Sequence, residues 1–529
     1  MADKIDESDE FETTGQPKSS GKAWSFMDRR TVIGRSAAVL GGLFAGQLLP
    51  AGKAEAQAEN KTRSNNASRN NEFLFTAVGE LMPVRPFSMQ TEPEFLDVIK
   101  LLRESDLTYG HLEMNLADDD EVSWAARGSS GGAGYLIADA KLADEIKWAG
   151  IDALSLAMNH SYDWGAEGML ATKKNCQRAG IAVAGTGRDL EEATEPAYFE
   201  KDKARVALVS CASGNSPFEW AGYGKGKIPG RPGVNQLRLK KLFMVDKSTA
   251  DQLKEAGRKL GSLSAAAAER KEFNITPGAI SGSNGFSGSA FLESDKFDIT
   301  TENHPGDLKR ILRSVDEAKK MADFVMVAHH QSVSEKSRGE DPTRSSADFA
   351  RKAIDAGADV YLGHGWHTAL GIEVYKGKPI IHGMGNFFWQ SDYIPRKPAD
   401  QYESYDQDMD LLTTLNPATG NFHPEGNEHW GYSAVYQFKF VDKKLAEIRL
   451  HPIEMGYDFS AGGQGKVYRT IGRGSYKYLD GSPRLAYGAN GQWILKRLQH
   501  LCELRGTKLE IAGNMGIVKV SATAADRPS

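Results

Sequence analysis

Between residues 73 and 382 short apolar runs alternate with segments of helical period, and this alternation restricts the chain to an α/β architecture more than any other feature does. Strands are expected at 73–78, 107–112, 153–157, 181–184, 205–210, 324–327 and 360–362. Helices are expected at 94–104, 138–149, 165–179, 308–321 and 346–356. In the first of these, Phe95, Val98, Ile99, Leu101 and Leu102 recur at helical spacing. Two hairpins come next, 372–382 around Lys376-Gly377-Lys378 and 434–452 around Asp442-Lys443-Lys444. The alternation lapses from about 213 to 305, a stretch rich in Gly, Ser and Pro with one helical piece at 249–273. It reads as an insertion able to cover a site. Residues 456–529 form a Gly- and Tyr-rich extension with a helix near 491–505.

Composition excludes several classes. The chain has 529 residues, more than one typical domain, and is 40% hydrophobic and 26% charged. That excludes a disordered chain and a multi-span membrane protein. A net charge of −5 leaves no basic field for nucleic acid. Three cysteines, Cys176, Cys211 and Cys502, are too few for a disulfide framework, and without a C-x-x-C a thiolate zinc site is not expected. Cys176 lies on a helix and reads as packed.

The N-terminal part reads as an address. Arg29-Arg30 precede a short apolar run from Ala37 to Leu49, then Pro50 and Ala54-Glu55-Ala56-Gln57-Ala58. An arginine pair, a short apolar stretch and an A-x-A site form a signal peptide over 1–58, similar to a twin-arginine signal. The run is too short and Gly-rich to span a bilayer, so membrane contact is transient, during export. Cleavage is expected after Ala56 or Ala58, and the destination is periplasmic or extracellular. Residues 59–71 read as a linker and 72–455 as the main domain.

In open α/β sheets ligands bind beyond the carboxyl ends of strands, and the unusual polar residues of this chain fall there. They are Glu80, His111 with Glu113, Asn159 with His160, His329 with His330, His364 with His367, and His382 with Asn386. Seven of the 12 histidines are in that set. Any one of them alone reads as an ordinary core or surface histidine. Together, imidazole, carboxylate and amide oxygen suit Zn, Mn or Fe. Two metals need roughly 6–8 protein ligands, and the inventory suffices.

At these residues the sequence resembles the CapA family of poly-γ-glutamate capsule proteins, a branch of the calcineurin-like metallophosphoesterases. Gly79-Glu80-Leu81-Met82-Pro83-Val84-Arg85 is similar to the opening G-D-v-m-l-g-R, and Asp106 to Glu113 to D-l-t-f-x-N-L-E. Ala157-Met158-Asn159-His160-Ser161-Tyr162-Asp163-Trp164-Gly165 is similar to A-N-N-H-x-x-D-x-G. Ala179 to Gly187 follows a-G-i-x-x-x-G-x-G, His329 the histidine of H-W-G, Gly363-His364-Gly365-Trp366-His367 G-H-H-P-H, and Gly385-Asn386-Phe387 G-N-F. The departures are Glu80 for Asp, His111 for Asn, Met158 for the first Asn, and Gly365-Trp366 for His-Pro.

The resemblance implies a four-layer metallophosphatase-like sandwich and binding of two divalent cations (Mn, Zn or Fe). Glu80, His111, Glu113, Asn159, His329, His364 and His367 would be the ligands. His160 would ligate or protonate a leaving group, Arg85 would hold an anionic group, and Asn386 would touch substrate or brace its loop. Asp163 reads as a helix cap. His330 and His382 read equally as supporting or purely structural residues, and Trp366 and Trp389 as ligand-stacking or core aromatics. The implied function is exported metal-dependent hydrolysis of a phosphoester, or of an amide or ester bond, in a small or polymeric anionic substrate. The alternative is a non-catalytic accessory to making or exporting a poly-γ-glutamate-type capsule.

Overall fold

A computed structural model describes residues 72–126, 135–261, 283–286, 289–335, 340–390, 428–458 and 481–520, with short pieces at 398–399 and within 466–479. The signal peptide and linker assigned to 1–71 lie outside the described residues. The chain enters as strand β1 (Glu72–Met82), helix α1 (Pro93–Arg103), β2 (Leu107–Leu112), α2 (Leu142–Trp148), β3 (Ala153–Ser155), α3 (Gly165–Arg178) and β4 (Ala182–Ala184). It continues as β5 (Ala197–Lys201), β6 (Ala204–Ser213), β7 (Leu239–Val245), α4 (Lys247–Lys259), β8 (Asp298–Asn303), α5 (Pro305–Met321), β9 (Phe324–Gln331), α6 (Arg344–Asp355) and β10 (Val360–His364). It ends with β11 (Ala369–Tyr375), β12 (Lys378–Met384), β13 (Asn386–Trp389), β14 (Tyr432–Val441), β15 (Lys444–Glu454), α7 (Gly488–Glu503) and β16 (Met515–Lys519).

These strands make two large mixed sheets. The first runs β16-β15-β14-β1-β2-β3-β4, with β13 also paired to β1. The second runs β11-β12-β10-β9-β6-β5. In each, the central strands are parallel and joined through helices, as the alternation requires.

Period-two alternation sorts the side chains into layers. Phe75, Leu107 and Tyr109 of the first sheet share one core with Leu208, Met326 and Leu362 of the second. The opposite face of the first sheet (Leu81, Leu112, Leu154) buries Val98 and Leu102 of α1 and Ile146 of α2. The opposite face of the second (Val209, Val327, Tyr361) buries Ile311 and Val315 of α5 and Phe349 of α6. The order is helix, sheet, sheet, helix.

Two segments differ from expectation. The segment 213–305 is less irregular: β7 and β8 pair with 283–286 and 289–293 in a four-stranded sheet. Its helix is Lys247–Lys259, and 262–282 lie outside the described residues. The stretch after 455 also contributes to the core, since α7 places Ile494, Leu498 and Leu501 in the inter-sheet cluster and β16 extends the first sheet.

Candidate metal centre

The same alternation delivers the polar side chains. Along β9, Phe324, Met326 and Ala328 face the inter-sheet core, while Val325 and Val327 face the helices. The next residue in the second phase is His329, and the next in the first is His330. On β2, Leu107 and Tyr109 set the phase that turns His111 inward. On β10, Val360 and Leu362 do the same for His364.

Glu80 is the exception to simple alternation. Phe75 and Ala77 point into the inter-sheet core and Val78 points out, so an unbroken strand would turn Glu80 outward with Val78. The register between β1 and β2 shifts between Ala77 and Glu80, and Glu80 then lies opposite His111. Such a bulge inserts one residue and reverses the facing of the residues beyond it. Gly79 permits it, because a Cβ there would lie 1.9 Å from the Gly385 carbonyl oxygen.

Three strand ends thus converge. Glu80, Glu113 and His367 present ligand atoms all within 4.8 Å of one another. Glu80 Oε1 accepts from the Gly365 amide at 2.5 Å, and Oε2 pairs with His367 Nδ1. His367 Nδ1 is also 3.5 Å from Glu113 Oε2 and 3.0 Å from Asn386 Oδ1. His367 has a positive φ of 59° in a loop opened by Gly365, itself at φ 103°. Its ring packs against Trp389 and Trp430, at 4.9 and 5.1 Å between centroids. Burial pushes the Glu80 carboxyl up, but the His367 charge and hydrogen bond, with His330 nearby, hold it well below the usual range.

Behind the carboxylates lies a layer of imidazoles. His111 stacks on His364 at 4.3 Å and on His330 at 5.0 Å. His111 Nε2 and His330 Nδ1 are hydrogen-bonded at 2.9 Å, and His330 Nε2 is 3.8 Å from Glu113 Oε1. Ser155 Oγ lies 2.6 Å from both His111 Nδ1 and the Tyr109 hydroxyl, which in turn meets His364 Nε2 at 3.0 Å. Burial lowers the basicity of all three imidazoles, His364 to about 3, so they are neutral, which is the ligating form. His364 Nδ1 has no hydrogen-bond partner among the described residues.

The residues present fit a divalent cation. Two fully buried carboxylates side by side need positive charge to offset them; His330 Nε2 and His364 Nδ1, without a hydrogen-bond partner among the described residues, are ready donors, whereas both nitrogens of His111 are hydrogen-bonded.

Other expected site residues are distributed differently. His329 faces the helices, with Nε2 on Ser213 Oγ at 2.9 Å and Nδ1 on the Tyr361 hydroxyl at 2.8 Å, and its ring meets Phe349. It is a satisfied core histidine, and His330 occupies the place assigned to it. The period-two phase of β9 carried that signal. Asp163 does not cap α3; Trp164 is at the cap position. Instead Asp163 Oδ2 accepts from the Leu136 amide at 2.8 Å and lies 2.7 Å from His160 Nδ1, holding that ring. His160 lies near enough to His330 for a charge on its ring to add slightly to the lowered basicity of His330. Asn159 is half-buried beside it. Asn386 braces the loop, bonding His367 and the Trp430 carbonyl. His382 pairs with Glu373 at 3.0 Å, away from the cluster. Trp366 is buried, and Arg85 is half-buried three residues past the end of β1. Ser155 and Trp430 had no motif to announce them, and Tyr109 stood at the aromatic position of the Asp106–Glu113 motif without being singled out.

Comparisons with known proteins agree on one family. The model for bacterial capsule synthesis protein PGA_cap matches residues 43–391. An uncharacterized protein of Sinorhizobium fredii, y4sH, is 31% identical over 85% of this chain and 93% of its own. The capsule biosynthesis protein CapA of Bacillus anthracis is 23% identical over 69% of this chain and 70% of its own. A probable polyglutamine synthesis accessory protein of Mycobacterium tuberculosis is 40% identical over 14% of this chain and 18% of its own.

Proposed function

The chain belongs to the bacterial capsule synthesis protein family PGA_cap, and on that premise we propose that it is an exported, divalent-metal-dependent hydrolase of a phosphoester, or of an amide or ester bond, in an anionic substrate. The observation that carries the reading is the convergence of Glu80, Glu113 and His367 from separate strand ends, backed by His111, His330 and His364. The helix-sheet-sheet-helix order is read as a metallophosphatase-like sandwich.

In this reading Glu80, Glu113 and His367 would hold one cation (Mn, Zn or Fe), and His330 and His364, with Asn159, would offer donors for a second. Cations bound there would lower the pKa of water towards ~7 and offset charge developing on a phosphoryl or carbonyl oxygen. The chain's own residues do the rest. Gly365 N–H and His367 fix Glu80. Ser155 and Tyr109 fix the rings of His111 and His364. Asp163 anchors His160 at Nδ1, which leaves Nε2 to deliver a proton to the leaving group. Arg85 would hold an anionic substrate group.

A second reading is an accessory role in capsule polymer synthesis without chemistry. Two observations favour it: the wording of the mycobacterial relative's name, and the Glu80–His367 contact, in which the ring already engages one of the two carboxylates. Metal analysis of the purified protein separates the two. The hydrolase reading expects bound Mn, Zn or Fe, and turnover of p-nitrophenyl phosphate or acetate that chelator abolishes and metal restores. A folded protein that takes up none of these metals overturns it. For export, N-terminal sequencing of the mature protein should begin at Gln57 or Glu59.

A further inference from the structure

A cavity of about 730 Å³ lies between the end of β6 and the four-stranded sheet of the inserted segment. Trp220, Arg238, Lys240, Glu302 and His304 are on its wall. It is tied to the loop that carries His160: Asn215, also on the wall, donates through Nδ2 to the Met158 carbonyl at 2.9 Å, two residues before His160.

The charges around this cavity do not cancel. The Asp307 carboxylate, buried in the first turn of α5, is shared by two guanidinium groups. Arg238 reaches Oδ2 through Nε at 2.6 Å and Oδ1 through Nη2 at 2.8 Å, and Arg310 Nη1 reaches Oδ1 at 2.7 Å. Two positive charges on one negative leave a positive surplus. Lys240 stands in cross-strand register with Glu302, so that pair adds to neither sign. The surrounding sequence has the same bias: Trp220 to Val245 holds six basic residues and no acidic one, in a chain of net charge −5.

The polar groups that the wall leaves open are donors. Arg238 spends Nε and Nη2 on Asp307, while its Nη1 bonds to no described residue. That side chain is 36% exposed, and Nη1 is not a sealed atom. His304 is open as well, at 46%. Its Nδ1 accepts from the Asp307 amide at 3.3 Å and faces Arg238 Nη2 at 3.3 Å. A guanidinium only donates, so Nδ1 keeps its lone pair and the ring proton sits on Nε2. The Lys240 ammonium is a further donor on the same wall. Asp307 on one edge and the Trp220 ring, 5.3 Å below, hold the Arg238 guanidinium in place, so binding costs it little rotamer freedom.

A fixed guanidinium edge, an imidazole N–H and an ammonium, under a positive surplus, are the complement of an oxyanion. We propose that this cavity binds the oxyanion group of a ligand, a carboxylate or a phosphate, through Arg238 and His304 with Lys240 alongside. The claim goes beyond the hydrolase reading and needs neither bound metal nor turnover.

The test titrates the full chain with inorganic phosphate, with glutarate and with uncharged glutaramide, following tryptophan fluorescence and heat. Saturable binding of phosphate or glutarate, half-complete at about 1 mM or below, is expected, and none of glutaramide. Binding of either anion supports the site, and the tighter of the two names the source of the oxyanion. Arg238→Gln and His304→Asp should each weaken binding about tenfold or more. Asp can still cap α5 while setting a negative charge against the ligand. Circular dichroism melting verifies that each variant is folded; should Arg238→Gln fail to fold, His304→Asp decides. Glu80→Gln should lose metal yet bind the anion as the unaltered protein does, so failure of the hydrolase reading is visible separately. Absence of saturable anion binding, equal binding of glutaramide, loss of anion binding in Glu80→Gln, or full-strength binding in the folded cavity variants overturns the proposal.

Discussion

His111 Nε2 and His330 Nδ1 share a hydrogen bond of 2.9 Å although they belong to different sheets, His111 to the strand next to β1 and His330 to the strand between β6 and β10. Burial keeps both rings neutral, so one donates and the other accepts. The bond joins the two sheets at the edge where Glu80, Glu113 and His367 meet.

Glu80→Ala and Glu113→Ala should each cut metal affinity by at least about 100-fold, because each removes a buried charged donor. Titration of the metal-free variants with Mn or Zn measures this. Retention of wild-type stoichiometry and affinity in both variants would contradict the assignment of the centre.

His329 and His330 are neighbours with opposite consequences. His329→Phe should leave metal content intact while destabilising the fold by about 2–3 kcal/mol, since Ser213 and Tyr361 each lose a buried partner. His330→Phe should lower metal content. Urea unfolding and metal analysis of the two variants, side by side, read both effects.

Asp163→Asn should reduce kcat by about 100-fold or more without changing bound metal, because Asp163 orients the His160 ring rather than capping a helix. Equal loss of metal and activity would instead place Asp163 among the residues that support the centre.

Stability should depend on pH through His451. Burial, with the Arg449 charge added, pushes its pKa down from 6.5 to about 4, and Nε2 lies 2.9 Å from Gln437 Oε1. Between these values the unfolded chain binds more protons than the folded one. Stability is therefore full above 6.5 and is lost as the pH falls towards 4. His451→Gln should flatten this part of the profile when unfolding midpoints are compared at about pH 5 and about pH 7.5.

Much of the fold is legible in the sequence. Strands such as 107–112 and helices such as 165–178 declare themselves through apolar period, because burial on one face is a local requirement written into neighbouring residues. The polar residues ending those strands are also visible there. Asp163 misleads because Asn, Asp and Ser before a helix usually cap it, and nothing local shows that His160 competes for the same carboxylate.

What the sequence by itself determined is the alternating α/β order, the matched family motifs, and the collection of imidazoles and carboxylates at strand ends. Only the tertiary structure decided which of them meet. The bulge that turns Glu80 inward needs the Gly385 carbonyl pressed against Gly79, about three hundred residues away in the chain. The choice of His330 over His329 depends on which face of β9 meets the other sheet. Both are settled by packing between distant segments, and a periodicity reports which residues share a face but not what that face will be set against.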